Sequence, residues 1–136
     1  MININEMIFR IKPYSGTETI KTINKPWGKE IIWANSQGQY TAKILVVNKK
    51  EALSLQYHKR KNETMLVLDG TLRLTYGAHS LSSIKETIVS SGTVIHIPAE
   101  TIHRIEAITT TYIMEVSSFD EYGDIVRLKD NYNRKG

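Results

Sequence analysis

Short β-rich segments alternate with turn residues along the sequence, and this pattern limits the fold more than any other feature. Asp69-Gly70 separates two such segments and predicts a tight hairpin, because glycine readily adopts the positive φ angle that the turn requires. Ser90-Ser91-Gly92 and Pro98-Ala99-Glu100 predict further turns. No segment before Tyr112 shows a capped apolar stripe of helical period, so we predict an all-β sandwich or barrel. The predicted strands cover residues 7–12, 29–34, 40–47, 53–57, 64–68, 71–76, 84–89, 93–97, 102–108 and 111–116.

The two ends of the chain carry weaker signals than the middle. Residues 1–23 read as an N-terminal extension that forms an edge strand or a dimer arm, ahead of a main domain over residues 24–134. Residues 120–130 are compatible with a short helix or an ordered tail. We therefore expect one β domain with extension strands at its N-terminus.

The composition restricts the chemistry. A chain of 136 residues suffices for one domain with a hydrophobic core. It contains no cysteine, so a transition metal would need nitrogen and oxygen ligands, with four histidines available. A net charge of +4 is too small to indicate a nucleic-acid partner. We see neither a secretory signal nor an apolar run of roughly 20 residues that would span a membrane, so we expect a soluble cytoplasmic protein.

Four residues predict a metal site. Gln56 and His58 are two apart on a predicted strand and therefore project from the same face. Glu63 opens the next strand, and His103 follows a proline-containing turn, so both can reach the same space. Two imidazoles and two oxygen ligands suit Zn²⁺, Fe²⁺, Mn²⁺, Co²⁺ or Ni²⁺. Four protein ligands leave a coordination position open, which is typical of a catalytic metal.

The same residues carry a resemblance. Gln56-x-His58, Glu63 and Gly70 resemble the first cupin motif, with glutamine in place of its first histidine, and the segment from Gly92 to His103 resembles the second, with Glu100 where glycine is usual. The whole pattern is similar to the type II mannose-6-phosphate isomerase cupin, which also forms the C-terminal part of bifunctional mannose-1-phosphate guanylyltransferases. Further matching segments are Lys25-Pro26-Trp27-Gly28, Ile97-Pro98-Ala99, Glu115-Val116 and residues 123–132.

This resemblance implies a jelly-roll (double-stranded β-helix) barrel that holds a divalent metal, most simply zinc. It also implies an isomerase that interconverts aldose and ketose phosphates through an enediolate. Glu115 and Glu100 are the candidate general bases, and Arg104 is a candidate for both catalysis and phosphate binding because it follows a predicted ligand. The other candidate cations for the substrate phosphate are Lys59, Arg60, Lys25 and Arg127.

Several alternatives stay open. The chain departs from the family at Lys59-Arg60-Lys61, which is either a solvated loop or a phosphate-facing rim, and at Met65, where an aromatic residue is usual. His79 and His96 have no ligand spacing around them and read as structural or surface residues. A cupin that binds a sugar or sugar nucleotide without turnover, and a non-haem iron oxygenase, are the rival functions. We expect a homodimer with a small-molecule substrate.

Overall fold

The computed structural model describes residues 3–14, 19–36, 38–78, 80–119 and 121–134, and these residues form almost exclusively β-strands. One short α-helix, α1 (Ile4–Phe9), and a single 3-10 turn (Leu81–Ser83) are the helical segments of the described part. No helix in this part is long and apolar enough to cross a membrane. The strands are β1 (Lys21–Lys25), β2 (Gly28–Ser36), β3 (Tyr40–Val47), β4 (Leu55–His58), β5 (Glu63–Asp69), β6 (Thr71–Ala78), β7 (Lys85–Ser90), β8 (Val94–Ile97), β9 (Thr101–Ala107), β10 (Thr111–Ser118) and β11 (Ile125–Lys129).

The strands form two antiparallel sheets. Sheet A has the order β1-β2-β3-β10-β5-β8, and sheet B has the order β11-β4-β9-β6-β7. Neighbouring strands in each sheet are mostly distant in sequence, as β3 and β10 are, which is the pattern of a jelly roll. The predicted all-β fold is therefore confirmed.

The main core lies between the sheets. Alternate residues of each strand point inward, so apolar side chains such as Leu45, Val67, Leu72, Ile105 and Ile113 pack together and are almost completely buried. This core occupies one part of the space between the sheets. The inner faces of β3, β4, β5 and β10 also present polar and charged side chains, and these surround the cavity described below.

The N-terminal residues differ from the prediction for residues 7–12, because α1 is a helix and not a strand. Asn3 caps it by accepting a hydrogen bond from the backbone N–H of Glu6 at 2.9 Å. Ile4, Ile8 and Ile11 recur at helical spacing and pack on a second apolar cluster on the outer face of sheet A. Both faces of β3 are consequently buried. The predicted domain boundary between residues 23 and 24 falls inside β1, which is an edge strand of sheet A.

The hairpin prediction was wrong, and one of two alternatives at the C-terminal end was decided. Asp69-Gly70 does not form a hairpin, because β5 belongs to sheet A and β6 to sheet B; Gly70, with φ of 101°, turns the chain from one sheet to the other. The segment after residue 120 was predicted as a short helix or an ordered tail; over the described residues 121–134 it is ordered and contains strand β11, which pairs with β4, and no helix. The turn at Pro98-Ala99-Glu100 is present, and Glu100 adopts a positive φ of 68° there. That backbone conformation explains why glycine is usual at this position of the motif.

Candidate metal centre and the surrounding cavity

A cavity of about 750 Å³ opens between the two sheets, which is within the usual range for small-molecule sites. Its walls come from the first strands of sheet A, from β4 and β5, and from β11 with the residues that follow it. The chain thus closes the cavity with its C-terminal strand, which lies beside β4 at the edge of sheet B.

His58, Glu63 and His103 form the metal-capable group among the described residues. One ligand atom from each lies within 4.8 Å of the others, and all three side chains are buried. The Oε1 atom of Glu63 is 3.0 Å from Nε2 of His103 and 3.7 Å from Nε2 of His58. Ligands at about 2.1 Å from one ion are separated by similar distances, so the three residues fit a divalent metal.

The outer nitrogen of each imidazole faces an oxygen atom. Nδ1 of His103 is 2.9 Å from the carbonyl oxygen of Thr101, to which it donates when it carries the proton. Nδ1 of His58 is 3.6 Å from Oδ2 of the fully buried Asp124. The hydrogen bond of His103 leaves its Nε2 for a metal and fixes the ring orientation, and Asp124 places a carboxylate beside the His58 ring at more than hydrogen-bond distance. Asp124 also accepts hydrogen bonds from the backbone N–H groups of Arg60 (2.9 Å) and Lys61 (3.1 Å).

Gln56 lies beside this group. It faces His103 across β4 and β9, and its Nε2 is 3.4 Å from Nε2 of His58. Its Oε1 accepts a hydrogen bond of 2.5 Å from the Ser54 hydroxyl. The oxygen and nitrogen of a side-chain amide have nearly the same size and position. Rotating the Gln56 amide by 180° therefore exchanges the two atoms and directs its oxygen at the group of His58, Glu63 and His103. The structure thus brings together all four residues that the sequence predicted as ligands.

A row of alternating charges runs from the cavity mouth to Glu63. Lys25 is 3.9 Å from Glu30, Glu30 is 3.3 Å from Lys43, and Lys43 is 3.8 Å from Oε2 of Glu115. Lys61 continues the row, with its Nζ 3.4 Å from both Glu115 and Glu63. Lys43, Lys61 and Glu115 are each at most 5% exposed. Buried charges of this kind occur where they are paired, and they cluster at functional sites.

Environment moves the pKa values of the two deep carboxyl groups in opposite directions. Burial raises the pKa of Glu63, but the hydrogen bond with His103 and the charges of Lys61, His103 and His58 outweigh it, and the net pKa is well below its usual range. Burial, together with the charge of Glu63, raises the pKa of Glu115 to about 7 against the charges of Lys61 and Lys43. Glu63 is therefore a carboxylate suited to a metal, and Glu115 is a carboxyl group able to exchange a proton.

The structure also brings Lys25 and Arg127 to the cavity wall. It does not bring Arg104 there, because neighbours on a strand point to opposite faces and His103 points inward. The Arg104 guanidinium donates instead to the carbonyl oxygen of Leu53 (2.9 Å) and to Asn131 (2.7 Å). The side chain of Glu100 is exposed in its turn.

The three basic residues after His58 differ in their exposure to solvent. Lys59 and Arg60 are exposed, and Arg60 forms an ion pair with Glu121 at 2.5 Å, whereas Lys61 points into the cavity. His96 is exposed and lies 3.0 Å from the Thr64 hydroxyl, and His79 falls outside the described residues.

The sequence reading missed Lys43, Glu30 and Asp124. Lys43 carried a usable signal, since it interrupts the apolar run of β3 at a position whose side chain points inward. Glu30 precedes two isoleucines, and no feature of its surroundings in the sequence distinguishes it from an exposed strand residue. Asp124 lies in a segment that contributed to the resemblance, without an assigned role.

Comparisons with known proteins identify a family that this chain resembles along most of its length. Residues 14–130 match the family model described as Mannose-6-phosphate isomerase C-terminal. Mannose-1-phosphate guanylyltransferase 2 of Escherichia coli O157:H7 is 31% identical over 140 residues, covering 98% of this chain and 27% of that protein. Xanthan biosynthesis protein XanB of Xanthomonas campestris is 27% identical, covering 96% of this chain and 28% of that protein. The chain thus spans about a quarter of the length of these curated relatives.

Solved structures support the fold. The capsular polysaccharide assembling protein CapF of Staphylococcus aureus aligns with a TM-score of 0.67 at 18% identity, over 85% of this chain and 34% of CapF. An oxalate decarboxylase of Bacillus subtilis, studied for its Mn(II) centres, aligns with a TM-score of 0.66 at 22% identity, over 79% of this chain and 30% of that chain. At these identities the likeness shows a common cupin barrel.

Proposed function

We propose that this chain, which belongs to the family of mannose-6-phosphate isomerase C-terminal domains, is a metal-dependent isomerase that interconverts an aldose phosphate and a ketose phosphate. The observation that carries the proposal is the position of Glu115. This buried carboxyl group lines the same cavity as His58 and Glu63, and Lys61 bridges it to Glu63. A proton-transferring group beside a metal-capable trio is what an aldose–ketose isomerase requires.

The reaction moves one proton between neighbouring carbons. A base removes the proton from C2 of the aldose, the electron pair forms the C1–C2 double bond of an enediolate, and the proton returns to C1. A second proton passes from the hydroxyl oxygen on C2 to the oxygen on C1, so that C1 becomes an alcohol carbon and C2 the carbonyl carbon. A divalent ion held by His58, Glu63 and His103, with Gln56 beside them, would stabilise the oxygen charge of the enediolate as a Lewis acid. We propose zinc as that ion, because two imidazoles and a carboxylate are among its preferred ligands.

Glu115 is the proposed base. Its Oε2 atom lies within 3.8 Å of both Lys61 and Lys43, so the carboxylate is held in one position whichever substrate carbon it faces. The two ammonium groups also compensate the negative charge that remains when the proton is on the substrate. Glu100 and Arg104 have no part in this mechanism, because neither side chain lines the cavity.

The decisive experiment measures metal content and turnover together. Purified protein loaded with zinc, and in parallel with manganese or ferrous iron, is expected to convert mannose 6-phosphate to fructose 6-phosphate. His103→Ala is expected to lose the metal and the activity, whereas the matched control His96→Ala, which removes an exposed imidazole, keeps both. Metal-loaded protein that converts none of a panel of aldose phosphates would refute the isomerase.

Two other functions have distinct results in the same experiment. Saturable binding of mannose 6-phosphate or a sugar nucleotide without turnover would identify a binding domain, which is compatible with relatives that carry this region as about a quarter of a larger protein. Oxygen uptake that depends on added iron would identify an oxygenase. The homodimer, the cytoplasmic location and the lack of a nucleic-acid partner remain predictions from the sequence, and light scattering tests the first.

A further inference from the structure

We infer that Arg127 and Arg134 form an anion subsite at the cavity mouth, which binds the phosphate group of a phosphorylated sugar whose hydroxyl groups reach His58, Glu63 and His103. The identity of the sugar in this assignment rests on the proposed function. The subsite itself rests on where the two guanidinium groups lie, how they are held and what charges surround them.

Arg127 is placed beside the metal-capable group by strand pairing. It lies directly opposite Gln56 across β11 and β4, and Ile125 lies opposite His58. Directly opposed residues of an antiparallel pair project from the same face, with Cβ atoms about 5 Å apart. Arg127 therefore shares the inner face with Gln56 and His58, and it lines the same cavity.

Arg134 reaches the cavity from the segment that follows β11, and its side chain is fixed there. Its Nε and Nη2 atoms donate to the carboxylate of Asp130 at 2.9 and 3.0 Å, and its backbone N–H donates to the same carboxylate at 2.7 Å. The guanidinium also lies 5.5 Å from the ring centre of Tyr132. A guanidinium group has five N–H donors, so this arrangement fixes its plane and leaves further donors for a ligand.

Tyr132 in turn anchors the segment to the barrel. Its hydroxyl group hydrogen-bonds Glu51 and accepts a hydrogen bond of 3.4 Å from the backbone N–H of Ala52. Arg134 is consequently held in place before any ligand arrives, which lowers the entropic cost of binding.

The charges at the mouth favour an anion. The described cations at the mouth are Lys21, Lys25, Arg127 and Arg134. The nearby carboxylates are each paired already: Glu30 lies 3.9 Å from Lys25, Glu121 pairs with Arg60, and Asp130 pairs with Arg134. Burial, and after it the charge of Arg134, lowers the pKa of Arg127 and outweighs the opposing charge of Asp130, which indicates that the two cations lie close together. A dianionic phosphate relieves this repulsion, and a guanidinium fork matches the geometry of phosphate oxygens.

Equilibrium binding tests the subsite without turnover. Calorimetric titrations use the metal-loaded Glu115→Gln variant, which lacks the proposed base and leaves the sugar phosphate unconverted, and they compare mannose 6-phosphate, inorganic phosphate and mannose. Arg127→Met and Arg134→Met are each expected to weaken mannose 6-phosphate binding about 10-fold or more, as expected for loss of a charge-assisted contact, and to leave mannose binding unchanged. Lys85→Met, on the opposite edge of sheet B, is the matched charge control and is expected to have little effect.

The Asp130→Asn variant distinguishes two effects of Asp130: the positioning of the Arg134 side chain and the net charge at the cavity mouth. The substitution makes the mouth more positive, so electrostatic attraction alone predicts tighter phosphate binding. If Asp130 holds Arg134 in place, binding becomes weaker instead. Tighter binding by this variant would overturn the assignment of Arg134 as a fixed partner.

The outcomes for the subsite and for the proposed function are distinguishable. Three results would each overturn the subsite, whether or not the protein is an isomerase. The first is an unchanged affinity for mannose 6-phosphate in both arginine variants, and the second is an equal loss of affinity for mannose. The third is a protein with both arginines that binds mannose 6-phosphate no more tightly than mannose. Phosphate-dependent binding through these arginines without any isomerisation would support the subsite and refute the isomerase. Unfolding midpoints of all variants confirm that each is folded.

Discussion

Replacing Asp124 with asparagine should reduce both the stability of the protein and its metal affinity. The buried carboxylate accepts two backbone hydrogen bonds, from Arg60 and Lys61, and lies 3.6 Å from Nδ1 of His58, where it favours the tautomer that leaves Nε2 for a metal. An asparagine of the same shape has one acceptor oxygen, so one of the two buried N–H groups then faces an amide N–H₂. Losing one hydrogen bond to a charged acceptor costs about 1.5–3 kcal/mol, and weakening the second adds about 1 kcal/mol. We therefore expect the free energy of unfolding to fall by about 3 kcal/mol.

Urea unfolding of the metal-free protein measures this loss, and competition with a chromophoric chelator measures metal affinity separately. Removing the partner that orients a ligating histidine should weaken metal binding about 10-fold to 100-fold. Glu121→Gln is the matched control, because Glu121 is an exposed carboxylate that pairs with the same Arg60. That pair should contribute less than about 1 kcal/mol. If Asp124→Asn destabilises no more than Glu121→Gln, or leaves metal affinity unchanged, the role assigned to Asp124 is wrong.

Three further substitutions test the fold and the buried charges, each by urea denaturation with the wild type as reference. Glu100→Gly should raise the free energy of unfolding by about 0.5 kcal/mol, because it relieves a positive φ of 68° and keeps the backbone hydrogen bond to His58; a loss of stability would contradict this. Gly28→Ala should destabilise by at least about 3 kcal/mol, since a Cβ atom there would lie 1.8 Å from the carbonyl oxygen of Val46; a change near zero would exclude that close approach. Lys43→Met should cost about 3 kcal/mol by removing a buried cation from between Glu30 and Glu115, and a neutral result would show that the pairing is not needed for stability.

Strand alternation accounts for both a success and a failure of the sequence reading of the site. The two-residue spacing of Gln56 and His58 correctly placed both on the inner face, because their burial alternates with that of Leu55 and Tyr57. The same rule applied to His103 would have excluded Arg104, which points outward. The inward direction of Lys43 was readable from β3, but the partners of Lys43 and Asp124 were not, because Glu115 and His58 lie 72 and 66 positions away in the sequence.

The sequence predicted the fold class correctly, but it did not predict which strands pair with one another. The turn residue Gly70 was recognised correctly from its local chemistry, yet local chemistry does not show whether the flanking strands pair with each other or join different sheets. The helix α1 was read as a strand because Met7 to Lys12 ends in alternation. The spacing of Ile4, Ile8 and Ile11, together with the capping Asn3, was the stronger signal.

The order of strands in sheet A has a consequence for how the protein matures. In sheet A, β10 lies between β3 and β5, and Val47 at the end of β3 pairs with Thr111 at the start of β10. About 60 further residues must therefore be synthesised after β3 before its second neighbouring strand begins to leave the ribosome. The trio of His58, Glu63 and His103 is likewise complete only after β9 has been synthesised. A metal ion encountered earlier by the nascent chain would meet His58 and Glu63 without His103. A site built from all three residues can therefore form only late, once β9 is in place and the barrel has closed.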